Sequence, residues 1–492
     1  MDYRKTAQEI LSAIGGNGNL ASAAHCATRL RLVIADNAKR SDNMTYIDGK
    51  WRQEVHLEPP HGWLNDPNGL SFFGGYYHIY FQYSPDNANG DGRKCWGHYR
   101  SKDLINWEFT GTVLFPDTPD DKDGVYSGSA VEHDGILHIF YTGNVKEDGD
   151  HDYITSGRGA NVISVTTADG VTMSEKQTLL RNSDYPDFCS CHVRDPKVWR
   201  EGNKWRMVLG ARTLDDTGCV LFYSSDDMIS WKYDGSDCIE DFGYMWECPD
   251  VFDVGGHRYL SVSPQGLRHG ETKFQNVYQS GYFRYDDSLN GFTEWDHGFD
   301  FYAPQTFETP DGRRIIIGWM GIGDIPYTNP TIELGYQHCL TVPREITADE
   351  NGVLMQNPIR ELSELRGAKK SASDCDEVNM ELSSEIIAKV GGEFSIEIKD
   401  VLTLSWEDGI FELRFDNDKA GGLRKVRRAV VPECCDLRII ADKSSLEIYL
   451  NDGRKVLSTR MYPEGDSVEV VFRGINAEIF KLRKQEVKFL GE

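Results

Sequence analysis

HGWLNDPNGLS, residues 61–71, places a short polar pair, Asn65 and Asp66, between a bulky aromatic residue and a Pro-Asn-Gly turn. Pro67 has a fixed φ and biases the residue before it toward an extended conformation, while the Asn-Gly that follows suits a tight turn. The carboxylate of Asp66 is therefore expected at a rigid strand end, from which it can be aimed at a substrate. The competing interpretation of this stretch, taken alone, is an ordinary surface turn.

Two further acidic motifs follow in chain order, each flanked by apolar, strand-like residues. They are VRDPKVW, residues 193–199, around Asp195, and MWECPDVF, residues 245–252, around Glu247. Together with WLNDPNG, and with FQY at 81–83, WGH at 96–98 and YSGSA at 126–130, they resemble the motifs of family 32 of the glycoside hydrolases, the invertase and fructosidase family. The motifs are weak singly and specific as an ordered set. The resemblance extends from about His56 to the C-terminus.

Aromatic-rich alternating strands recur along residues 46–350, each followed by a loop and a second strand. They are YYHIYFQYS (76–84), ILHIFYTGN (136–144), KWRMVLGAR (204–212), HRYLSVSPQ (257–265) and RRIIIGWMG (313–321). Similar Ser-Lys-Asp and Ser-Asp-Asp turns stand at 101–103 and 225–227. This repetition predicts propeller blades, and about five are counted, the number that family 32 also implies. A plain β-sandwich explains the alternation but not the repeated turns.

The sequence changes character beyond residue 350. NPIRELSELRG, residues 357–367, has helical spacing, and from Glu393 onward alternating segments lead to an Asn-Asp-Gly turn at 451–453. We expect residues 351–492 to form a linker helix and an antiparallel β-sandwich, the domain that family 32 places beside its propeller. The expected fold is thus all-β, a five-bladed β-propeller at 46–350 followed by a C-terminal β-sandwich, with a short N-terminal α/β extension.

That extension, residues 1–45, forms a separate segment and linker. NLASAAHCATRLRLVIAD, residues 19–36, resembles the phosphorylated-cysteine segment of the IIB domain of sugar phosphotransferase systems, which implies Cys26 as the phosphate acceptor. A thiol close to Thr28, Arg29 and Arg31 is favoured as a thiolate and suits phosphate binding. The second half of a IIB domain is missing. The competing interpretations are a vestigial docking or oligomerisation piece, and a helix and strand with a buried cysteine.

The resemblance to family 32 assigns chemistry to the three acids. Cleaving a glycosidic bond needs a proton for the leaving oxygen and negative charge near the oxocarbenium ion, and two carboxyls with separated pKa values supply both. Asp66 would attack C2 of a fructosyl unit, Glu247 would act as acid and then as base, and Asp195 would stabilise the transition state. This retaining mechanism requires the two reacting carboxyls about 5 Å apart. Taken alone, Asp195 equally suits an Arg-Asp pair that caps a turn.

Family 32 lines its fructose pocket with further polar and aromatic positions. Here these are Asn65, Gln82, Trp96, Ser127 and Arg194, with Trp63, Tyr126 and Trp319 as aromatic candidates for stacking on the sugar. Each aromatic residue equally suits a blade core. Asp300 and Gln305 are expected just behind the pocket. No metal or other cofactor is needed, because carboxylates perform the acid–base work, and the Cys-Ser-Cys-His run at 189–192 alone does not complete a tetrahedral metal site.

Charge and cysteine content narrow the functional classes. The net charge of −25 disfavours nucleic acid and anionic membranes as partners, so a phosphorylated substrate would need a local basic pocket. The candidates for such a phosphate pocket are cations that follow the first motif in the chain, namely Arg93, Lys94, His98, Arg100 and Lys122. Eleven cysteines without a framework spacing, together with an amphipathic start that lacks a signal-peptide core, predict a cytoplasmic location with reduced thiols.

We therefore expect an intracellular retaining β-fructofuranosidase that hydrolyses sucrose or sucrose 6-phosphate. Its partner would be a small sugar, and a homo-oligomer is compatible with the sequence. Three alternatives stay open: an exo-acting fructo-oligosaccharide hydrolase, a fructosyltransferase with the same covalent intermediate, and a catalytically silent sugar-binding protein. The last predicts the loss of at least one acid, whereas all three are present.

Overall fold

A computed structural model describes residues 20–26, 29–34, 46–286 and 288–490. The first two ranges form an antiparallel hairpin of β1 (Leu20–Cys26) and β2 (Arg29–Ile34). The rest of the phosphotransferase-like segment, and the side chain of Cys26, lie outside the described residues, so the role of Cys26 stays a prediction. Among the residues that are described, no helix is long and apolar enough to cross a bilayer.

Residues 62–358 form five sheets, each built on four antiparallel strands. Within each sheet the first strand in the chain lies nearest a common axis, and the next three follow it outward in sequence order. The first three sheets contain β3 (Gly62–Phe73), β4 (Tyr76–Ser84), β5 (Cys95–Ser101) and β6 (Trp107–Leu114); β7 (Val125–His133), β8 (Ile136–Lys146), β9 (Arg158–Thr167) and β10 (Gln177–Leu180); β11 (Cys189–Glu201), β12 (Lys204–Thr213), β13 (Gly218–Ser225) and β14 (Lys232–Cys238). The last two contain β15 (Met245–Val254), β16 (His257–Gln265), β17 (Gly281–Arg284) and β18 (Asn290–Glu294); β19 (Tyr302–Glu308), β20 (Arg314–Met320), the short β22 (Cys339–Leu340), β23 (Arg344–Ala348) and β24 (Leu354–Pro358). The short strand β21 (Tyr336–Gln337) precedes β22 in the chain and belongs to the first sheet. Single 3₁₀ turns lie at Asn182–Asp184, Pro330–Leu334 and Arg360–Leu365.

The innermost strands surround the axis. In order they are β3, β7, β11, β15 and β19; each lies beside the next, and β19 lies beside β3. The short strand β21, from the connection within the fifth sheet, pairs in parallel with Gly62 and Trp63 of β3. The predicted five-bladed propeller is confirmed, and the alternative of a single sandwich does not hold for this part of the chain.

A hydroxyl–aspartate turn joins the third and fourth strands of the first three blades. In each turn the hydroxyl accepts two backbone N–H groups and the aspartate accepts two more, which satisfies the amides that leave the strand. The pairs are Ser101 with Asp103, Thr167 with Asp169, and Ser225 with Asp227. The sequence repeat indicated the first and third. The sequence did not indicate the second turn, because Thr167 and Met173 stand where the other two turns have serine and tryptophan.

Residues 366–482 form the predicted sandwich of two six-stranded antiparallel sheets. In chain order its strands are β25 (Arg366–Ala372), β26 (Glu377–Glu381), β27 (Ser384–Lys389), β28 (Phe394–Ile398), β29 (Leu402–Glu407), β30 (Ile410–Phe415), β31 (Val426–Val430), β32 (Asp436–Asp442), β33 (Ser445–Leu450), β34 (Lys455–Arg460), β35 (Ser467–Arg473) and β36 (Asn476–Leu482). One sheet has the order β25-β36-β27-β32-β33-β34 and the other β26-β35-β28-β29-β30-β31. The short helix α1 (Asp418–Gly421) follows β30, and β37 (Val487–Phe489) returns to pair with β6 of the propeller.

Buried charges join the sandwich to the propeller. The ring nitrogens of His56 lie 2.8 Å from Asp442 and 2.9 Å from Glu447, both on sandwich strands. Arg344, on β23 of the fifth blade, lies 2.6 Å from the same Glu447. All four side chains are buried. Because the two positive side chains meet two carboxylates there, this interface is neutralised within itself.

Candidate active site

Each innermost strand of the propeller contains a β-bulge, where its pairing with the second strand shifts register. A bulge re-aims side chains, and proline favours one because it has no N–H for the ladder. Four bulges contain proline and the fifth contains glycine: Pro67, Gly128, Pro196, Pro249 and Pro304. One or two residues before each stands a side chain that lines a single funnel on the axis: Asp66, Ser127, Asp195, Glu247 and Tyr302. The sequence motifs are thus the bulges that build the site.

A second ring of polar side chains lies under the funnel and ties neighbouring blades together. Ser129 donates to the carbonyl of Pro196 at 2.8 Å, and Lys197 pairs with Asp250 at 3.1 Å. Gln305 donates to the carbonyl of Gly128 at 3.0 Å. These bonds support strained backbone: Asp195, Cys248 and Ala303 have φ of 64°, 47° and 48°, conformations that cost roughly 1–3 kcal/mol each.

Asp66 and Asp195 share one neighbour, the thiol of Cys248. Ser127 Oγ lies 2.5 Å from Asp66 Oδ2, and Asn65 Nδ2 lies 3.1 Å from Asp66 Oδ1. Cys248 Sγ lies 3.7 Å from Asp66 Oδ2 and 3.7 Å from Asp195 Oδ2, and the Cys248 amide donates to Asp195 at 2.9 Å. Cys248 therefore joins two of the acids.

Both aspartates are costly to ionise in the funnel. Burial raises the pKa of Asp66, the negative charge of Glu247 adds to the rise, and the hydrogen bond from Ser127 opposes it. Burial also raises the pKa of Asp195, where the Arg194 guanidinium opposes the rise and Glu247 adds to it. Three carboxyls around one arginine therefore do not hold three negative charges easily.

The carboxylate of Glu247 is held by three donors. Arg194 donates to Oε1 through Nε and Nη2, at 3.0 and 2.8 Å. Gln265 Nε2 and Tyr302 Oη donate to Oε2 at 2.8 and 2.7 Å. The indole of Trp246, the residue before Glu247, is fully buried and donates to the carbonyl of Phe242.

Arg194 is oriented in turn by His192. Arg194 Nη1 lies 2.7 Å from His192 Nδ1, and His192 Nε2 lies 3.0 Å from the carbonyl of Tyr153. Burial and the nearby positive charge of Arg194 lower the pKa of His192 to about 3, so the ring is neutral. A neutral ring that donates from Nε2 accepts at Nδ1, which fixes the tautomer. His192 therefore orients Arg194, which in turn holds Glu247.

Polar and aromatic side chains form the wall beside Asp66. Trp63 Nε1 donates to Asn65 Oδ1 at 2.9 Å, and Asn65 Nδ2 donates to Gln82 Oε1. The ring of Trp319 lies 5.9 Å from that of Trp63, and its Nε1 is buried without an acceptor among the described residues. Tyr126, on β7 of the second blade, also lines the funnel.

Trp96 occupies a different place from the other predicted pocket residues. Its side chain is fully buried in the blade core, and its Nε1 donates to the carbonyl of Tyr126 at 3.1 Å. Trp96 therefore supports the wall from behind. Asp300, expected just behind the pocket, instead pairs with Arg424 of the sandwich at 2.7 Å.

Sequence reasoning missed several residues that line the funnel, namely Arg158, Gln265, Tyr278 and Tyr302. The Tyr302 position had a signal, because Tyr-Ala-Pro-Gln repeats the X-Pro pattern of the three acidic motifs. Of the cations suggested for a phosphate, Lys94 lines the funnel. The others lie elsewhere: Arg93 pairs with Asp86, Arg100 with Glu108 and Lys122 with Asp123, and His98 is buried against His78.

Comparison with known protein families matches nearly the whole chain. Residues 56–358 match the N-terminal domain of glycosyl hydrolases family 32, and residues 361–484 match the C-terminal domain of that family. Residues 8–39 match the EIIB component of the phosphotransferase system. The resemblance to family 32 is thus confirmed, and the EIIB match agrees with the second resemblance.

Similar proteins and structures agree with these matches. The chain is 38% identical over 453 residues to a sucrose-6-phosphate hydrolase of Bacillus subtilis (strain 168), covering 85% of this chain and 90% of that protein. It is 38% identical over 444 residues to a raffinose invertase of Escherichia coli, covering 85% and 90%. The structure of a sucrose-6-phosphate hydrolase from Lactobacillus gasseri superimposes with a TM-score of 0.79 at 26% identity, covering 89% of this chain and 95% of that one.

Proposed function

This chain belongs to family 32 of the glycosyl hydrolases, and from that premise we propose that it is a retaining β-fructofuranosidase acting on sucrose or sucrose 6-phosphate. The observation that carries the proposal is the convergence of Asp66, Asp195 and Glu247, from three different blades, on one funnel. The funnel has a volume of about 380 Å³, within the range of small-molecule sites. The chain is a glycoside hydrolase, and the two relatives described above are named a sucrose-6-phosphate hydrolase and a raffinose invertase.

Asp66 is the proposed nucleophile. Its Oδ2 is bonded by Ser127 and touched by the Cys248 thiol, so one oxygen is held in a fixed direction. Ionising it is costly, since burial raises its pKa. The positive charge that develops on the fructosyl ring offsets this cost, so the electrostatic stabilisation is largest in the transition state. A fructosyl–Asp66 ester is the expected intermediate.

Glu247 is the proposed acid and base. Gln265 and Tyr302 hold one oxygen and Arg194 holds the other, so the carboxyl keeps its orientation through both half-reactions. In the first step it protonates the leaving oxygen, and in the second it takes a proton from water. Separate strands carry Glu247 and Asp66, which allows them to act from opposite sides of the bond.

Asp195 is the proposed transition-state stabiliser. Its Oδ2 accepts the Cys248 amide, and its backbone is fixed by the bulge and by a hydrogen bond from its own amide to Thr142 at 2.9 Å. The remaining oxygen is available for fructose hydroxyls. Burial raises its pKa, so near neutral pH it can both donate and accept a hydrogen bond.

The cytoplasmic location is likewise proposed. The ten cysteines whose side chains the structure describes are all free thiols. Reduced thiols in this number suit a reducing compartment. Labelling of cysteines in intact cells, before and after lysis, would test the assignment, because a protein kept in an oxidising compartment would show thiols already oxidised.

The proposed reaction is tested by product analysis with purified protein. With sucrose we expect glucose and fructose in equal amounts, and in the presence of methanol we expect methyl β-fructofuranoside, because two inversions at C2 retain the configuration. Methyl α-fructofuranoside would contradict the retaining mechanism. Oligosaccharides in place of free fructose at high sucrose would identify a transferase, and faster turnover of kestose than of sucrose would identify a fructo-oligosaccharide hydrolase.

A further inference from the structure

Two cations in the funnel have no carboxylate partner. Three lysine or arginine side chains line the funnel, and Arg194 pairs with Glu247. Within the described chain, neither Lys94 nor Arg158 forms an ion pair with an acidic side chain. In a protein with a net charge of −25, unpaired cations kept beside three acids indicate a negatively charged ligand.

Lys94 stands at the entrance to β5. Its Nζ lies 2.5 Å from the carbonyl of Gly90 and 5.5 Å from the ring of Trp63. An ammonium group has three N–H donors, so these contacts leave donors free for a ligand. Burial lowers the pKa of Lys94, and the negative charge of Asp66 opposes that change. A second negative charge from a ligand would favour the ammonium form further.

Arg158 begins β9. Its Nη1 lies 3.3 Å from Asn144 Oδ1, while its Nε is buried with no acceptor among the described residues. Burial lowers the pKa of this guanidinium, and a hydrogen bond with the side chain of Tyr126 opposes the change. A buried donor without an acceptor is destabilising, so the protein retains here a cation that its own residues do not fully satisfy.

Tyr126 lines the funnel together with the two cations. A side chain added at Gly124 would come within 2.8 Å of the Tyr126 ring and 3.2 Å of Lys94 Cβ. Gly124 therefore allows Tyr126 and Lys94 to pack side by side. The three side chains form one basic corner of the funnel, which we name the cation corner.

We propose that the cation corner binds the phosphate of a phosphorylated disaccharide, and that Lys94 and Arg158 make the enzyme prefer sucrose 6-phosphate to sucrose. This inference rests on the proposed function. A phosphate monoester carries between one and two negative charges near neutral pH and three acceptor oxygens, which matches an ammonium, a guanidinium and a phenol. A neutral hydroxymethyl group in the same place would leave both cations unpaired.

The test compares kcat/KM for sucrose 6-phosphate and for sucrose in the full chain and in Lys94→Gln, Arg158→Gln and the double variant. We expect the wild-type ratio to favour the phosphate, and each single variant to lower the ratio roughly 10- to 100-fold, since a hydrogen bond to a charged group is worth about 1.5–3 kcal/mol. The ratio is read within each variant, so a general loss of activity does not imitate the effect.

Two matched controls remove a positive charge close by but outside the funnel. One control is Arg93→Gln: Arg93 precedes Lys94 in the chain and pairs with Asp86. The other is Lys146→Gln, which changes the cross-strand partner of Arg158. Both should leave the ratio within about twofold. A wild-type ratio near one, or an equal loss on both substrates in the double variant, would overturn the proposal. Release of no fructose from either substrate would instead refute the proposed function.

Inorganic phosphate provides a second probe. It should inhibit sucrose hydrolysis by the wild type competitively, and the inhibition should weaken with salt and in the double variant. Equal inhibition of the wild type and the double variant would contradict binding of phosphate at the cation corner.

Discussion

The funnel and the propeller–sandwich interface both bury carboxylates beside an arginine, yet they shift the pKa values of these acids in opposite directions. In the funnel, burial and mutual repulsion raise the pKa of Asp66 and of Asp195. At the interface, burial also disfavours the charged form of Glu447, but Arg344 and then His56 outweigh it and lower the pKa to about 2. The difference lies in the pairing: Glu447 forms ion pairs with both Arg344 and His56, whereas the lysines and arginines among the described residues form none with Asp66 or Asp195.

This contrast separates chemistry from stability. Two acids of the funnel, Asp66 and Asp195, have no ion pair among the described residues, so their charge is available to a substrate that becomes positive in the transition state. The acids of the interface are paired with cations of the protein itself, so their charge stabilises the contact between the two domains and does not act on a ligand. Replacing an acid should therefore mainly affect turnover in the first region and mainly affect stability in the second.

The largest expected effect is the loss of turnover in Asp66→Asn. The variant lacks the proposed nucleophile, so kcat should fall by roughly 10⁴-fold or more. Its melting temperature should stay the same or rise, because a buried carboxyl with a raised pKa is removed. Asp86→Asn, which changes an exposed acid paired with Arg93, is the control and should keep full activity. A stable Asp66→Asn variant with normal kcat would refute the nucleophile assignment.

The next effect is the destabilisation of Glu447→Gln. Removing one partner of a buried ion pair leaves Arg344 and His56 undercompensated, and should lower the free energy of unfolding by about 3–5 kcal/mol. Urea unfolding followed by tryptophan fluorescence measures this change. The exposed pair of Lys369 and Glu478 provides the control, since Glu478→Gln should cost less than about 1 kcal/mol. Equal small losses in the two variants would show that the interface charges do not bind the domains.

The interface also predicts how stability depends on pH. Burial opposes a charge on His56, but its hydrogen bonds to Asp442 and Glu447 outweigh burial and raise its pKa from 6.5 to about 9. A raised histidine pKa gives stability that is complete below pH 6.5 and is lost as the pH rises through 9. Melting temperatures should therefore fall over this range, and His56→Gln should flatten the decline. An unchanged decline in His56→Gln would assign it to other groups.

The lowered pKa of Glu447 predicts the acid side of the same profile. Stability from this group is complete above its ordinary value of 4.5 and is lost as the pH falls toward 2. The melting temperature of the wild type should fall in this window, and Glu447→Gln should fall less steeply from its lower starting value. A parallel decline in both proteins would contradict the assignment.

The smallest effect is expected at Ser127. Its hydrogen bond to Asp66 opposes the rise in the pKa of that carboxyl, so Ser127→Ala should raise the pKa further. Because the nucleophile must be ionised, the acid limb of the kcat/KM profile should then move to higher pH. A shift of the limb to lower pH would contradict the sign. Ser129→Ala, which removes a bond to the carbonyl of Pro196 below the funnel, is the matched control and should leave the limb in place.

The local sequence was enough to predict the acids of the site. Asp66 and Asp195 precede a proline directly and Glu247 precedes one by two residues, and the bulges explain why that spacing brings them together. Alternating strands and repeated turns likewise predicted the five blades. These features depend on neighbours in the chain, which a single sequence displays.

Contacts between distant segments were beyond the sequence. His56 lies 386 residues from Asp442, and no local pattern marks either as part of a buried pair. Asp300 was placed near the pocket because of its position before the Tyr-Ala-Pro-Gln motif, but its backbone turns toward the sandwich and Arg424. The missing carboxylate partners of Lys94 and Arg158 are also invisible in sequence, since only the packed chain shows which charges meet.

The most direct test of the account is to identify the covalent intermediate. Glu247→Gln would be mixed with an aryl β-fructofuranoside, whose good leaving group needs no proton, quenched in acid and digested for mass spectrometry. We expect one fructosyl unit on the peptide that contains Asp66, because hydrolysis of the ester still needs the missing base. A fructosyl unit on another residue, or steady release of the aryl group with no adduct on any peptide, would contradict the convergence of Asp66 and Glu247 on one double displacement.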